Sequence, residues 1–254
     1  MREWAIINGA LADTEQVPRR AFVYQRICTR GERVTAIALH CAHIRRDANL
    51  VFGIDIAPNS TDIEAQVAKL LRAGNYSTDL RHVAEWRIYG DGSYSIHIAE
   101  TSPYDSFSLR LTRPRAVAVV CYDELPSHAT SASAAQTEIL REYAQRHEGN
   151  IVIQLHPDGR VVAIDGAPPI VVCGDEIWVA ERGHSVAFEL TVQALIERRG
   201  DKVRQCEITR EMLNVCDEIF FADERGLTAI GSFEGRTLAD TIAYTTAQDI
   251  EKLL

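Results

Sequence analysis

His128, in the run Leu125-Pro-Ser-His-Ala-Thr-Ser131, carries an imidazole that titrates near neutrality and can act as a general acid or base. A histidine at the start of a helix can equally have no chemical task, and Ser127 is as well suited to capping that helix as to nucleophilic attack. Asp223-Glu224 can share a proton or orient a cation if the two are buried together; otherwise they form a solvated turn. Arg87, in Trp86-Arg-Ile-Tyr-Gly90, has the planar fork that grips a carboxylate, or is a plain strand arginine. His184-Ser185 open a helical segment whose free amides can bind an anion. His40-Cys41-Ala42-His43 places metal ligands close together, but no second cluster has zinc spacing and Arg46 would oppose a cation. No metal is therefore expected. No Gly-x-Gly-x-x-Gly, phosphate-loop or Gly-x-Ser-x-Gly pattern occurs.

The elements that must position these groups follow from periodicity and turn chemistry. Strands are expected from Trp4 to Leu11, turning at Asn8-Gly9, then over Ala21–Cys28 and Val34–Leu39 about a turn at Arg30-Gly31. Helices are expected over His40–Phe52 and Thr61–Ala73, the latter with Ile63, Val67, Leu70 and Leu71 on one face. Val83–Ile88 and Tyr94–Ile98 read as a hairpin about Gly90-Asp91-Gly92, and the proline-bearing stretch Pro103–Pro114 as a linker. Beyond it come a strand Val117–Cys121, a helix Thr130–His147 and short strands at Ile151–Leu155, Val161–Ile164, Ile170–Cys173 and Ile177–Val179. A helix Val186–Arg199 ends at Gly200, before a strand Val203–Ile208, a short helix Thr209–Val215, a strand Glu218–Phe221 and a terminal helix Ala239–Leu254. This is an α+β chain in two halves, with domains expected over 1–114 and 115–254.

The 254 residues carry a formal net charge of −9, which argues against nucleic-acid or anionic-membrane partners, since both call for a basic face. Six cysteines without a Cys-x-x-Cys pair read as reduced, mostly buried thiols. The amino terminus lacks the basic and long apolar regions of a signal peptide, and no apolar run approaches a membrane span. A cytoplasmic location is expected. Only three lysines occur, Lys69, Lys202 and Lys252, so chemistry that needs a lysine amine must choose among them. Lys69 precedes Gly74-Asn75-Tyr76 and reads as a solvated helix lysine.

The stretch Cys206-Glu-Ile-Thr-Arg-Glu-Met-Leu-Asn-Val-Cys-Asp-Glu-Ile-Phe-Phe221 resembles the "ITREELYTADEVFF" segment of the class IV, or fold-type-IV, aminotransferases, which include branched-chain aminotransferase and aminodeoxychorismate lyase. Ile153-Gln-Leu-His-Pro-Asp-Gly-Arg-Val (positions 153–161 of the chain with Val162 following) is similar to that family's "LD-x-x-G-x-V" hairpin, and Ile7-Asn8-Gly9 and His43-Ile-Arg-Arg46 to the lyase's "LING" and "HIQR". Order and spacing fit over nearly the whole chain. The resemblance implies a small amino-terminal α/β domain, a carboxy-terminal pseudo-barrel domain, a cleft holding pyridoxal phosphate, and a homodimer.

The resemblance does not carry the family's chemistry with it. The family's Schiff-base lysine matches Ala129 or Thr130, and no lysine lies between Lys69 and Lys202. The glutamate that pairs with the pyridinium nitrogen matches Ala163. The phosphate-binding "GITR" turn matches Ser185-Val186-Ala187-Phe188, and the "FF-T-G-T-A" turn matches Phe220-Phe221-Ala222-Asp223-Glu224. Arg46 alone keeps the type of the family's phosphate-binding arginine. No cofactor is therefore expected. The implied cleft would be walled by Arg46, Arg87, Asp123, Glu124, His128, Ser131, Asp223, Glu224 and Arg225. His128, Asp223 and Glu224 are the candidate catalytic groups; Arg46, Arg87, Ser131, His184, Ser185 and Arg225 are the candidate substrate-binding groups. The expected activity is cofactor-independent acid–base chemistry (a lyase, dehydratase, isomerase or cyclisation step) on a small polar metabolite. The alternatives are a non-catalytic protein that binds a ligand or partner enzyme, and an aminotransferase with a displaced lysine.

Overall fold

The computed structural model describes residues 3–102, 114–121, 130–181 and 185–253. The linker segment 103–113 and the residues Asp123, Glu124, Ser127, His128 and His184 lie outside the described residues. Those described fall into two compact units, one of 3–102 with 130–132 and one of 114–121 with 133–253.

In the first unit, β1 (Trp4–Ile7) and β2 (Ala10–Asp13) form a hairpin. Asn8 and Gly9 both take positive φ, 48° and 83°, as the two-residue turn that matches strand twist requires. The other strands are β3 (Phe22–Arg30), β4 (Arg33–Val34), β5 (His82–Tyr89) and β6 (Tyr94–Thr101). They complete a six-stranded antiparallel sheet in the order β2-β1-β6-β5-β3-β4. Two helices, α1 (Ile37–Phe52) and α2 (Ser60–Ala73), pack on one face of it. Period-two side chains Val23, Ile27, Ala84, Trp86, Ile88 and Ile96 meet Ile44, Ala48, Ile63, Val67 and Leu70 there. Asn59 caps α2 by accepting from the amides of Thr61 and Asp62.

The expected strand Val34–Leu39 is not formed. Pairing stops at Val34, Ala36 turns into the left-handed region at φ 51°, and α1 begins at Ile37 rather than His40. The spacing of Ile37, Cys41, Ile44 and Ala48 explains this, because it lays one helical stripe against the core.

The second unit holds two five-stranded sheets. One contains β7 (Arg115–Val120), β8 (Ile151–Leu155), β9 (Val161–Ile164), β15 (Ser232–Phe233) and β16 (Arg236–Thr237), ordered β16-β15-β7-β8-β9. The other contains β10 (Ile170–Cys173), β11 (Glu176–Ala180), β12 (Val203–Cys206), β13 (Glu218–Asp223) and β14 (Gly226–Ala229), ordered β12-β11-β10-β13-β14. Ile153, Leu155, Ile164, Val171, Ile219, Phe221 and Phe233 fill the space between them. On the far face of the second sheet, Ile170, Val172, Phe220 and Leu227 pack against α4 (Val186–Arg199) and α6 (Thr241–Leu253). Adjacent residues Phe220 and Phe221 thus serve two cores, as strand alternation demands. The remaining helices are α3 (Ser131–Arg146) and the short α5 (Arg210–Val215).

Glu218 is buried on β13, and its carboxylate accepts from the amides of Ile242 at 2.9 and 3.0 Å and of Ala243 at 3.1 Å. A strand residue therefore caps the free amides of α6 from a distance, where the helix dipole favours a negative charge. Strands β14 to β16 were not expected from the sequence; they are only two to four residues long and have too few positions to show a period.

Candidate functional site

In the first unit, the sheet face opposite the helices carries a charged cluster. Direct cross-strand pairing sets Arg26 opposite Glu85, Tyr24 opposite Arg87 and Phe22 opposite Tyr89. It also sets Glu85 opposite His97 and Arg87 opposite Ser95. The side chain of Glu85 is 6% exposed. One of its oxygens accepts from Arg87 Nε at 2.6 Å and lies 4.0 Å from His97 Nε2, while the other accepts from Arg26 Nε at 3.3 Å. Burial alone would raise its carboxyl, but Arg87, His97 and Arg26 outweigh that and hold it below the ordinary glutamate value. Burial pushes His97 down to about 4; Glu85 opposes the fall, and Arg87 and Arg26 add to it. Arg87 also lies over the ring of Phe22 at 4.3 Å, a cation–π contact.

Arg46 sits on α1, its Nε donating to buried Asp47 at 3.0 Å. Its Nη2 is buried and has no hydrogen-bond partner among the described residues. Thr130 is half-buried and forms an isolated bridge with Val23, and Ser131 follows as the first residue of α3. His40 is fully buried against Gln25 at 3.1 Å; burial, then neighbouring His43, pushes it down to about 3. Among the described residues, no group of three or more His, Cys, Asp or Glu could hold a metal ion.

In the second unit, β9 ends in a turn at Asp165-Gly166, with φ of 51° and 85°. Asp165 accepts a two-pronged grip from Arg141 of α3, at 2.8 and 3.0 Å, and a further bond from Arg225 Nη2 at 2.9 Å. Arg225 in turn donates from Nε to Asp223 at 2.8 Å and bonds it again through Nη2. The side chains of Asp165 and Arg225 are 5% and 18% exposed. The result is a neutral chain of two cations and two anions, Arg141–Asp165–Arg225–Asp223. Burial would lower the Arg225 guanidinium, but Asp223 and Asp165 reverse that and raise it, so the cation is fixed. The Asp223 carboxylate thus accepts from Arg225, and Glu224 beside it is half-buried. Gly166 is required where it stands. A Cβ there would lie 2.8 Å from Thr137 Oγ1 on α3. Ala163, two residues before Asp165, offers no polar side chain.

Ser185 caps α4, its Oγ accepting from the Phe188 amide at 3.1 Å, so one amide expected for an anion is already satisfied. A separate cavity of about 310 Å³ beside β7, lined in part by Arg115, Arg210 and Glu234, includes none of the expected residues. Lys69 faces solvent on α2, Lys252 pairs with Asp249 at 3.0 Å, and Lys202 follows α4.

Sequence reasoning thus singled out Arg87, Asp223 and Arg225 but missed Arg26, Glu85, His97, Arg141 and Asp165. The spacing Glu85-x-Arg87 was a usable signal, since it puts both on one face of a strand. Nothing local marks Asp165 or Arg141, which are 24 residues apart.

A model of the amino-transferase class IV family matches residues 23–223. No curated protein matches. Among solved structures, the branched-chain aminotransferase of the archaeon Thermoproteus uzoniensis with norvaline is 20% identical with a TM-score of 0.79, over 100% of this chain and 95% of that one. A fold IV transaminase from Curtobacterium pusillum is 17% identical with a TM-score of 0.78, over 99% and 98%. An aminotransferase from Brucella abortus bound to the cofactor pyridoxal phosphate is 12% identical with a TM-score of 0.78, over 98% of each chain. At these identities the structural likeness establishes the fold.

Proposed function

Since the chain belongs to the class IV aminotransferases and has their fold, we propose that it is a member that has given up the family's lysine chemistry and acts on a small polar metabolite without pyridoxal phosphate. The observation that carries this is the absence of any lysine between Lys69 and Lys202, a span that includes Ala129 and Thr130, the two residues that the resemblance matches to the family's lysine. Neither a methyl nor a hydroxyl group can form an imine. The residues present do not fit the cofactor in other respects. Ala163 cannot pair with a pyridinium nitrogen. The turn that would help to cup a phosphate holds Asp223 and Arg225, whose charges are spent on each other and on Asp165. The buried Nη2 of Arg46, which has no hydrogen-bond partner among the described residues, still calls for an anion.

In this reading His128 is the general acid or base, Arg87 and Arg46 receive anionic groups of the substrate, and the reaction is a proton-transfer step of the lyase, dehydratase, isomerase or cyclisation type. The working form is a homodimer. The test is time-resolved NMR of the purified protein in a mixture of small polar metabolites, with no pyridoxal phosphate present. One compound should be consumed, and His128→Asn should abolish its consumption. Consumption that requires added pyridoxal phosphate would sink the proposal.

A second reading, a non-catalytic ligand-binding protein, is favoured by the commitment of Asp223 and Arg225 to an internal ion chain. It is supported instead if a metabolite raises the melting temperature while none is consumed.

A further inference from the structure

We propose that Glu85 is a positioning residue that aims Arg87 so that it binds the carboxylate of a small monocarboxylate ligand end-on, through its two terminal nitrogens. This rests on the reading of Arg87 as an anion-binding residue and adds how the arginine is held and which edge it offers.

Three observations carry it. First, a carboxylate can meet a guanidinium along its side, through Nε and one terminal nitrogen, or at its end, through both terminal nitrogens. In Arg87 the side is closed, because Nε already donates to Glu85 at 2.6 Å. Among the described residues no hydrogen bond engages Nη1 or Nη2, and the side chain is 22% exposed, so the end of the fork is free and reachable. Second, the guanidinium plane is fixed from another direction by the ring of Phe22 at 4.3 Å. An arginine held at Nε and on one face has lost most of its freedom before a ligand arrives, so little ordering remains to oppose binding. Third, Glu85 cannot swing toward the ligand. Its second oxygen is tied to Arg26 Nε at 3.3 Å, and Arg26 is itself tethered to Glu100 at 3.2 Å. Arg26 is thus hydrogen-bonded at both its Nε and its end, whereas among the described residues Arg87 is hydrogen-bonded through Nε alone. The charges of Arg26, Arg87, Glu85 and Glu100 sum to zero, so these four groups together set no net charge against a single carboxylate. Glu85 occupies the residue directly opposite Arg26 and two before Arg87, a register at which its one carboxylate reaches both.

The test is NMR of the arginine side chains in the full-length protein, titrated with sodium butyrate against sodium chloride at equal ionic strength. In the wild type the Arg87 Nε–H resonance should be protected from exchange and should shift saturably with butyrate but not with chloride. Glu85→Ala should weaken butyrate about tenfold, because the arginine must then be ordered by the ligand. Glu85→Gln keeps an oxygen that accepts the Nε–H and should stay within about threefold of the wild type. If Glu85→Ala fails to fold, Glu85→Asn replaces it; one methylene shorter, its amide cannot reach Nε, and the same loss is expected. Butyrate affinity unchanged in Glu85→Ala or Glu85→Asn, with binding lost in Arg87→Lys, would overturn the positioning role and leave Arg87 as the anion site. Binding that survives in Arg87→Lys would overturn both.

Discussion

Replacing Arg225 with methionine tests the buried ion chain most sharply. Arg225 is the middle cation, and its removal strands the Asp223 carboxylate, whose side-chain partner it is. Asp165 keeps its two-pronged grip on Arg141. Removing one partner of a buried pair costs about 3–5 kcal/mol. The lower end applies, because the amide of residue 225 still donates to Asp223 Oδ1 at 2.9 Å and shares the charge. About 3 kcal/mol in a chain of this length corresponds to a melting temperature lower by roughly 6–12 °C. The double variant Asp223→Asn, Arg225→Met removes both charges and should recover about half of the loss, since no buried carboxylate is left unpaired. Circular dichroism melting of the wild type, Arg225→Met, Asp223→Asn and the double variant gives the cycle. A drop below about 2 °C for Arg225→Met, or strict additivity in the double variant, would refute the view that these charges form one coupled unit.

Other outcomes follow from the same structure. His97 is held down to about 4 against an ordinary value of 6.5, so between those values the unfolded chain binds the proton and the folded one does not. Stability should fall as pH drops from about 6.5 toward 4, and His97→Gln should flatten that fall in a urea-denaturation series taken across pH. Gly166→Ala adds a Cβ at positive φ and 2.8 Å from Thr137 Oγ1; differential scanning calorimetry should register a loss of about 1–3 kcal/mol. Glu218→Ala removes the remote cap of α6 and should cost about 1–3 kcal/mol, with hydrogen exchange quickening first at the amides of Ile242 and Ala243.

Much of the fold was legible because its core strands and helices are long enough to show their period. The alternation around Gly90-Asp91-Gly92 and the stripe Ile63, Val67, Leu70, Leu71 recur as β5–β6 and α2. Val34–Leu39 misled because a short apolar run does not distinguish a strand from the first turn of a buried helix; the left-handed Ala36 decides it. The site was legible only where a residue type announces itself. Arg87 stood out as a strand arginine, but Glu85, which fixes it, is informative only once Arg26 and His97 are known to lie on neighbouring strands. Asp223 and Glu224 side by side suggested a carboxylate pair. Asp223 is held by Arg225, two residues on, but the second carboxylate on that arginine, Asp165, is 60 residues away in the chain, and long-range ion pairing leaves no local trace.

The central claim, that this class IV chain works without a lysine-bound cofactor, is tested most directly by incubating the purified protein with pyridoxal phosphate, reducing with borohydride and measuring the intact mass beside the absorption spectrum. No stoichiometric adduct and no band that bleaches on reduction is expected, since the three lysines, Lys69, Lys202 and Lys252, lie on α2, after α4 and on α6. A single stoichiometric adduct on one of them, together with a bleached band, would contradict it.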